Sequence, residues 1–335
     1  MTLTEFLENT GATLRFYDLG RRVAPVTRED FLAFEHADRP WPTPMQQKAW
    51  LALVLTPGDD REPLIWFLCF DLDEQGLLVQ ATRDYLLGRF AEIASEGPDP
   101  QTLGEALREN PLAFAPREDK MANLHAQVHQ ALGLPPSQYH AHAHDYLAGR
   151  LGWDQWSFVG FQGLADIAAR QHKDDDGLLA RAIPHLPPEP LIALCQCLEH
   201  HVPGPGLDQA LHARLRLALD APFTSPVLFA ALLRGLSRGA REPLRTAIRE
   251  VLARPQSSDP EVLAAIGGRA WEALDDPDTA RAWLERLADE AVPTGVFAHC
   301  VGDLLRLPGM REPLLGVLRS PDASERLKKA FEALG

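Results

Sequence analysis

The residues whose type and spacing suit chemistry fall into a few short segments, and each has a rival structural explanation. His140-Ala141-His142-Ala143-His144 is the best metal candidate. At helical pitch His140 and His144 share a face while His142 points away, so one helix offers two ligands and zinc needs others from elsewhere. Cys195-Gln196-Cys197 with His200 and His201 has the same weakness, because Cys195 sits on a different side from Cys197 and the histidines. Neither C-x-x-C nor H-E-x-x-H is present, and the expectation is no metal and no cofactor. Gly235-Leu236-Ser237-Arg238-Gly239 spells a nucleophile elbow, but that turn needs a strand before its serine. Residues 227–233 read instead as helix, and the two glycines as helix C-caps. Asp71-Leu72-Asp73-Glu74-Gln75-Gly76 resembles the start of a calcium loop, yet its twelfth position falls on Thr82. A polar turn with Gly76 at positive φ is expected there, and a helix connection at Asp174-Asp175-Asp176-Gly177.

Two segments suit binding rather than catalysis. Arg234, Arg238, Arg241, Arg245, Arg249 and Arg254 are six arginines in twenty-one residues. Arg241, Arg245 and Arg249, at i, i+4 and i+8, form a stripe expected to face outward, because Leu244, Ile248 and Leu252 repeat on another face. A phosphate, an acidic peptide or an RNA backbone suits such a stripe; so does plain solvent. The densest segment is 151–166, where Trp153, Trp156, Phe158 and Phe161 lie among three glycines. Large rings beside glycines mark a place where another backbone comes close. Read as one helix over 153–173, it carries Gln155, Gln162, Asp166 and Arg170 as a polar stripe beside the aromatic face. Either it packs at a joint between two halves of the protein, or it is a partner groove anchored by Trp153 and Trp156.

The elements that must position these residues divide the chain. Residues 1–97 read as an α+β module: a capping box at Thr2 and Glu5, a strand over 13–19, and a helix over 28–37. A hairpin follows over 49–56 and 64–72, turning at Pro57-Gly58-Asp59-Asp60, and then a helix over 84–95. The run 64–70, apolar on both faces, predicts a buried central strand. Residues 98–120 read as a linker. From 121 to 335 helical stretches follow one another between Pro, Gly and Asp, too short to bury themselves singly, which predicts a degenerate HEAT-like array. The tetrapeptide Arg241-Glu242-Pro243-Leu244 recurs at Arg311-Glu312-Pro313-Leu314, where Pro suits a first helical position.

Certain residues of both halves carry a resemblance. Leu14-Arg15-Phe16-Tyr17-Asp18-Leu19-Gly20-Arg21-Arg22-Val23, and the block from Tyr146-Leu147-Ala148-Gly149-Arg150 through Trp153, Trp156, Gly160, Gln162-Gly163 and Ala165-Asp166, resemble a bacterial family called domain of unknown function 3549. The resemblance spans the chain and implies no activity, cofactor or catalytic residue.

With 45% hydrophobic and 24% charged residues, the composition is that of a folded globular chain. The formal charge of -14 opposes a chain-wide nucleic-acid footprint. No apolar run approaches ~18 residues, so no membrane span is expected. Four scattered cysteines, and a start at Met1–Glu5 without a secretion signal's basic end, give the expectation of a cytoplasmic protein. The function expected is a non-catalytic interaction scaffold that binds a protein partner through the helical array. One alternative is an enzyme with a site between module and array, drawing on Arg15, Asp18, Arg21 or Arg22 with Asp166. The other is RNA or polyanion binding through the arginines of 234–254.

Overall fold

The computed structural model describes residues 2–57, 62–94, 107, 110–172 and 177–333. The turn tip at Gly58-Asp59-Asp60, residues 98–106, 108 and 109 of the expected linker, and Asp174-Asp175-Asp176 lie outside the described residues. Two compact units result: Met1–Arg117 with Arg306–Pro308, and Glu118–Leu305 with Gly309–Gly335.

The first unit opens with α1 (Leu3–Glu8), started by the expected capping box of Thr2 and Glu5. It continues through β1 (Thr13–Asp18), β2 (Ala24–Val26), α2 (Arg28–Glu35), β3 (Lys48–Thr56), β4 (Leu64–Asp71) and α3 (Gln80–Ala94). The strands form one antiparallel sheet in the order β2-β1-β3-β4. Period-two alternation aligns Phe16, Leu53 and Trp66 across the three longer strands, on the face that builds the core with Leu7, Phe31, Phe34 and Phe90. Phe16 stacks on Phe31 with ring centroids 4.1 Å apart. The buried Glu35 carboxylate accepts from Leu3 N at 2.7 Å and from Thr4 N, satisfying the first amides of α1.

Two strand expectations change. β2 is too short to show an alternation, and its Pro25, with no N–H to give a ladder, suits the edge it occupies. β4 is an edge strand rather than a central one. Its apolar second face has another cause: residues 110–114 run along it, with Cys69 N donating to Leu112 O at 2.7 Å. Phe114 there meets Trp50 and Phe67 edge-on, at centroid distances of 4.9 and 5.9 Å. At the suspected calcium loop a polar turn stands as expected. Asp73 Oδ1 accepts from Gln75 N and Leu77 N, and Gly76 has φ +79°.

The second unit is a two-row helical array. One row holds α4 (Glu118–Ala131), α6 (Phe161–Arg170), α8 (Pro188–Leu198), α10 (Pro226–Leu236), α12 (Pro260–Arg269) and α14 (Val296–Leu304). The other holds α5 (His140–Leu147), α7 (Leu178–Ala182), α9 (Pro205–Asp220), α11 (Arg241–Leu252), α13 (Pro277–Leu287) and α15 (Arg311–Leu318), and α16 (Glu325–Glu332) ends the chain's helices. Each helix packs on the helix two places along, so successive members of a row stack. Lengths run from 5 residues in α7 to 16 in α9, which is why no single repeat period shows in the sequence. Proline starts α8, α9, α10, α12 and α13 at a position whose N–H has no helical partner. In the recurring tetrapeptide it sits third instead, since α11 and α15 begin at Arg241 and Arg311. Among the described residues no helix is long and apolar enough to cross a membrane.

The expected helix over 153–173 is two elements. A 3-10 turn, Trp153–Phe158, is followed by extended backbone at Val159 and Gly160, and only then by α6. A β-branched residue next to glycine is a weak place in a helix, and the break falls there.

Candidate partner-binding surface

The 3-10 turn is held rigidly at its start and open at its end. α5 ends through Gly149 at φ +70°, and a Cβ there would lie 3.5 Å from the Trp153 ring. Trp153 stacks on His185 at a centroid distance of 5.6 Å and meets Tyr146 edge-on at 5.5 Å. Tyr146 Oη also donates to Trp153 O at 3.0 Å. Beyond this anchor the rings face solvent, with Trp156 36% and Phe158 72% exposed. Tyr139, 49% exposed, lies against Gly160, where a Cβ would come within 3.4 Å of the tyrosine ring. Asp154, Gln155 and Ser157 are exposed polar residues within the same turn. Apolar rings with polar neighbours, presented on fixed backbone, match the make-up of a protein interface.

The polar stripe lies inside the array, not beside the rings. Asp166 is fully buried, and its Oδ2 accepts from the amide and hydroxyl of Ser137. Gln162 Nε2 donates to Ala122 O at 3.1 Å and Arg170 Nη2 to Leu134 O at 3.2 Å. Arg170 also lies 3.6 Å from Asp166 Oδ1. Asp166 and Arg170 lash the 132–139 connection to α6, and Gln162 ties α4 to it. Ser137 Oγ in turn accepts from Tyr139 N, so the stripe positions the backbone of a surface ring. Gln155 is not part of it, because the break at Gly160 moves it to the exposed turn. Gly163 accounts for the close backbone approach read from the sequence: a Cβ there would fall 2.6 Å from Tyr139 O and 2.8 Å from Ala143 Cβ. That approach is between α5 and α6, within the array.

The metal candidates of α5 come in a pair. His140 and His144 stack on one face with centroids 6.1 Å apart, and Arg150 Nη2 lies 2.8 Å from His144 Nδ1. Among the described residues no group of three or more His, Cys, Asp or Glu is placed to hold a metal ion. Burial pushes the Cys195 thiol up to about 12 and that of Cys197 well above its ordinary value, so both stay protonated. Cys195 packs on Gly235, where a Cβ would sit 3.1 Å from its sulfur. Gly235 therefore serves contact between α8 and α10 and is no C-cap, and the helix before Ser237 rules out an elbow.

In the first unit, Asp18 accepts from Gly20 N at 2.9 Å and from Thr43 Oγ1, while Arg21 Nε donates to Pro44 O at 3.1 Å. Arg15 reaches Thr56 Oγ1 at 3.4 Å, and Arg22 is buried. Asp166, the acid that the enzyme reading adds to these, has its carboxylate closed within its own unit.

The sequence model of the family described as "Protein of unknown function (DUF3549)" matches residues 1–335. The chain belongs to this family. No curated protein and no solved structure matches it.

The arginine stripe of this DUF3549 chain divides in two. Arg241 is exposed, but Arg245 pairs with Glu242 and with Asp275 at 2.7 Å, and Arg249 reaches Asp276 at 3.0 Å and Thr279 Oγ1 at 2.8 Å. Two of the three expected outward charges thus bind α11 to the start of α13. Of the remaining arginines, Arg234 lies 3.8 Å from Glu199, and Arg254 donates to Leu219 O at 2.8 Å. Sequence spacing identified the stripe, while its partners lie some thirty residues further on. The joint change Arg245→Glu/Arg249→Glu, which sets glutamates against Asp275 and Asp276, is expected to cost roughly 1–3 kcal/mol in urea unfolding. Arg241→Glu should leave the midpoint in place; equal midpoints for both variants would show the pairs to be inert.

Tyr139 carried no mark in the sequence, and Phe158 was marked only as one ring of the aromatic segment. Their exposure depends on the break before α6, which composition does not show.

Proposed function

We propose that this protein is a non-catalytic interaction scaffold, and that a partner protein docks on Tyr139, Trp156 and Phe158. The observation that carries the reading is the exposure of three rings beside a segment whose backbone is fixed by Trp153, Tyr146 and Gly163. Fixed rings lose little freedom on binding, so their burial is available as affinity. A charge of -14 favours a protein over a polyanion as the partner. We read the compartment as the cytoplasm, in line with four unpaired thiols.

The test places a photo-crosslinker at position 157, the exposed serine between Trp156 and Phe158, of the full chain in native lysate. One stoichiometric protein adduct is expected, lost in Trp156→Ser/Phe158→Ser and kept in Arg241→Ser, with the thermal midpoint unchanged in both. An adduct with RNA, or a protein adduct that survives the double change, would overturn the reading.

A further inference from the structure

Away from the aromatic surface, α9 and α11 border a groove of about 640 Å³. Its apolar lining comes from Leu215 and Ala247, 1% and 3% exposed, and its carboxylates from Asp208, Glu242 and Glu250, against a single guanidinium from Arg216. Helical spacing produces this arrangement: Asp208, His212 and Arg216 fall at i, i+4 and i+8 on α9, and Glu242, Thr246 and Glu250 do the same on α11. Glu242 is shared with Arg245, whereas Glu250 has no ion pair among the described residues.

Two buried polar atoms here, on His212 and Asp208, have no hydrogen-bond partner. His212 lines the groove at 9% exposure, and its Nε2 has no hydrogen-bond partner. Asp208 Oδ1 has none either, and the nearest approach of the two residues, 3.8 Å from Nε2 to Oδ2, is too long for a hydrogen bond. Gly239 makes room for this carboxylate, since a Cβ there would collide with Oδ1 at 2.0 Å. Leaving a buried carboxylate oxygen and imidazole nitrogen unsatisfied is costly, and a donor entering the groove removes the cost. Desolvation holds the His212 ring below its ordinary pKa, against the opposing pull of Asp208 and Glu250 and with the aid of Arg216. The ring therefore adds no positive charge at neutral pH, and the carboxylates set the sign of the site.

We propose that the groove between α9 and α11 receives a basic, extended segment of a partner protein, with a lysine or arginine head donating to Asp208. The aliphatic stem of such a side chain lies along Leu215 and Ala247 while its head reaches the carboxylates. A helical array that stacks neighbouring helices offers this kind of inter-helix furrow to a chain laid across it. The choice of a protein segment rests on the scaffold reading; the cation chemistry of the groove does not.

The probe is a fluorescently labelled heptapeptide with one lysine and one arginine among alanines, titrated into the full chain and followed by anisotropy. Saturable one-to-one binding is expected, absent when the lysine is acetylated and the arginine replaced by citrulline. Asp208→Asn/Glu250→Gln should weaken it by at least about tenfold, and Thr246→Lys on the rim, which leaves every native carboxylate in place, should weaken it similarly. Glu290→Gln/Asp322→Asn, an equal loss of charge elsewhere, should leave binding unchanged. So should Trp156→Ser/Phe158→Ser, which separates failure of the groove from failure of the aromatic surface. No saturation, equal affinity for both charge-neutralised variants, or displacement by spermidine at peptide-like concentration would overturn the proposal. The last result would assign the groove to a free polyamine.

Discussion

Gly163→Val is expected to destabilise the helical array by roughly 3–4 kcal/mol, beyond the usual range for overpacking a core. The glycine's missing Cβ would stand 2.6 Å from the Tyr139 carbonyl oxygen and 2.8 Å from Ala143 Cβ. Neither neighbour is the end of a flexible side chain, so relief requires α5 and α6 to separate. Gly163→Ala carries the same first clash and should show about half the effect. Gly316→Ala in α15 is the control, because nothing lies within 4 Å of its Cβ position. Alanine there removes only backbone freedom of the unfolded chain and should stabilise by ~0.4–1 kcal/mol. Urea unfolding of the three variants decides the matter. A Gly163→Val midpoint at or above that of wild type would show that the helices do not approach as described. Separation of α5 from α6 would also shift Tyr139, so the crosslink from position 157 should fall with stability, although residue 163 faces no partner.

How much of this was legible in the sequence depends on how far each residue's partners lie along the chain. Capping at Thr2 and Glu5, the turn at Asp73 and Gly76, and the proline starts of the helices are local, and residue order alone places them. The two broad architectures follow from periodicity, which is also local. What escaped was set at a distance. β4 looked central because both its faces are apolar, but its second face is covered by Phe114, more than forty residues on. Arg245 and Arg249 looked free because Asp275 and Asp276 stand just before the next helix of the row, some thirty residues on. The polar stripe was found by its helical spacing, and its three residues do cooperate, yet toward Ser137, Ala122 and Leu134 inside the array. The exposed rings were half visible: aromatic content marked the segment, and only the break at Gly160 decides which rings turn outward.

Asp166→Ala is expected to cost about 3–5 kcal/mol, the range for removing one partner from a buried charged network. It leaves the Ser137 amide and hydroxyl without their acceptor and takes the carboxylate from beside Arg170, which keeps Leu134 O, at a position where Asp166 itself is fully buried. Asp166→Asn keeps one carbonyl oxygen in a similar place, loses the charge, and should cost roughly 1–2 kcal/mol. A double-mutant cycle isolates the contact: Ser137→Ala alone should cost ~1 kcal/mol, and close to nothing once Asp166 is alanine. This cycle separates a positioning carboxylate from one that acts on a substrate. A chemical role predicts that Asp166→Asn removes function with the unfolding midpoint intact. A positioning role predicts that stability and partner capture fall together, in the order alanine then asparagine, because Ser137 is what holds the Tyr139 backbone. An Asp166→Ala protein within about 0.5 kcal/mol of wild type would refute the network outright. Additive Ser137 and Asp166 losses would refute the contact between them, and would free Asp166 for the catalytic role that its burial here argues against.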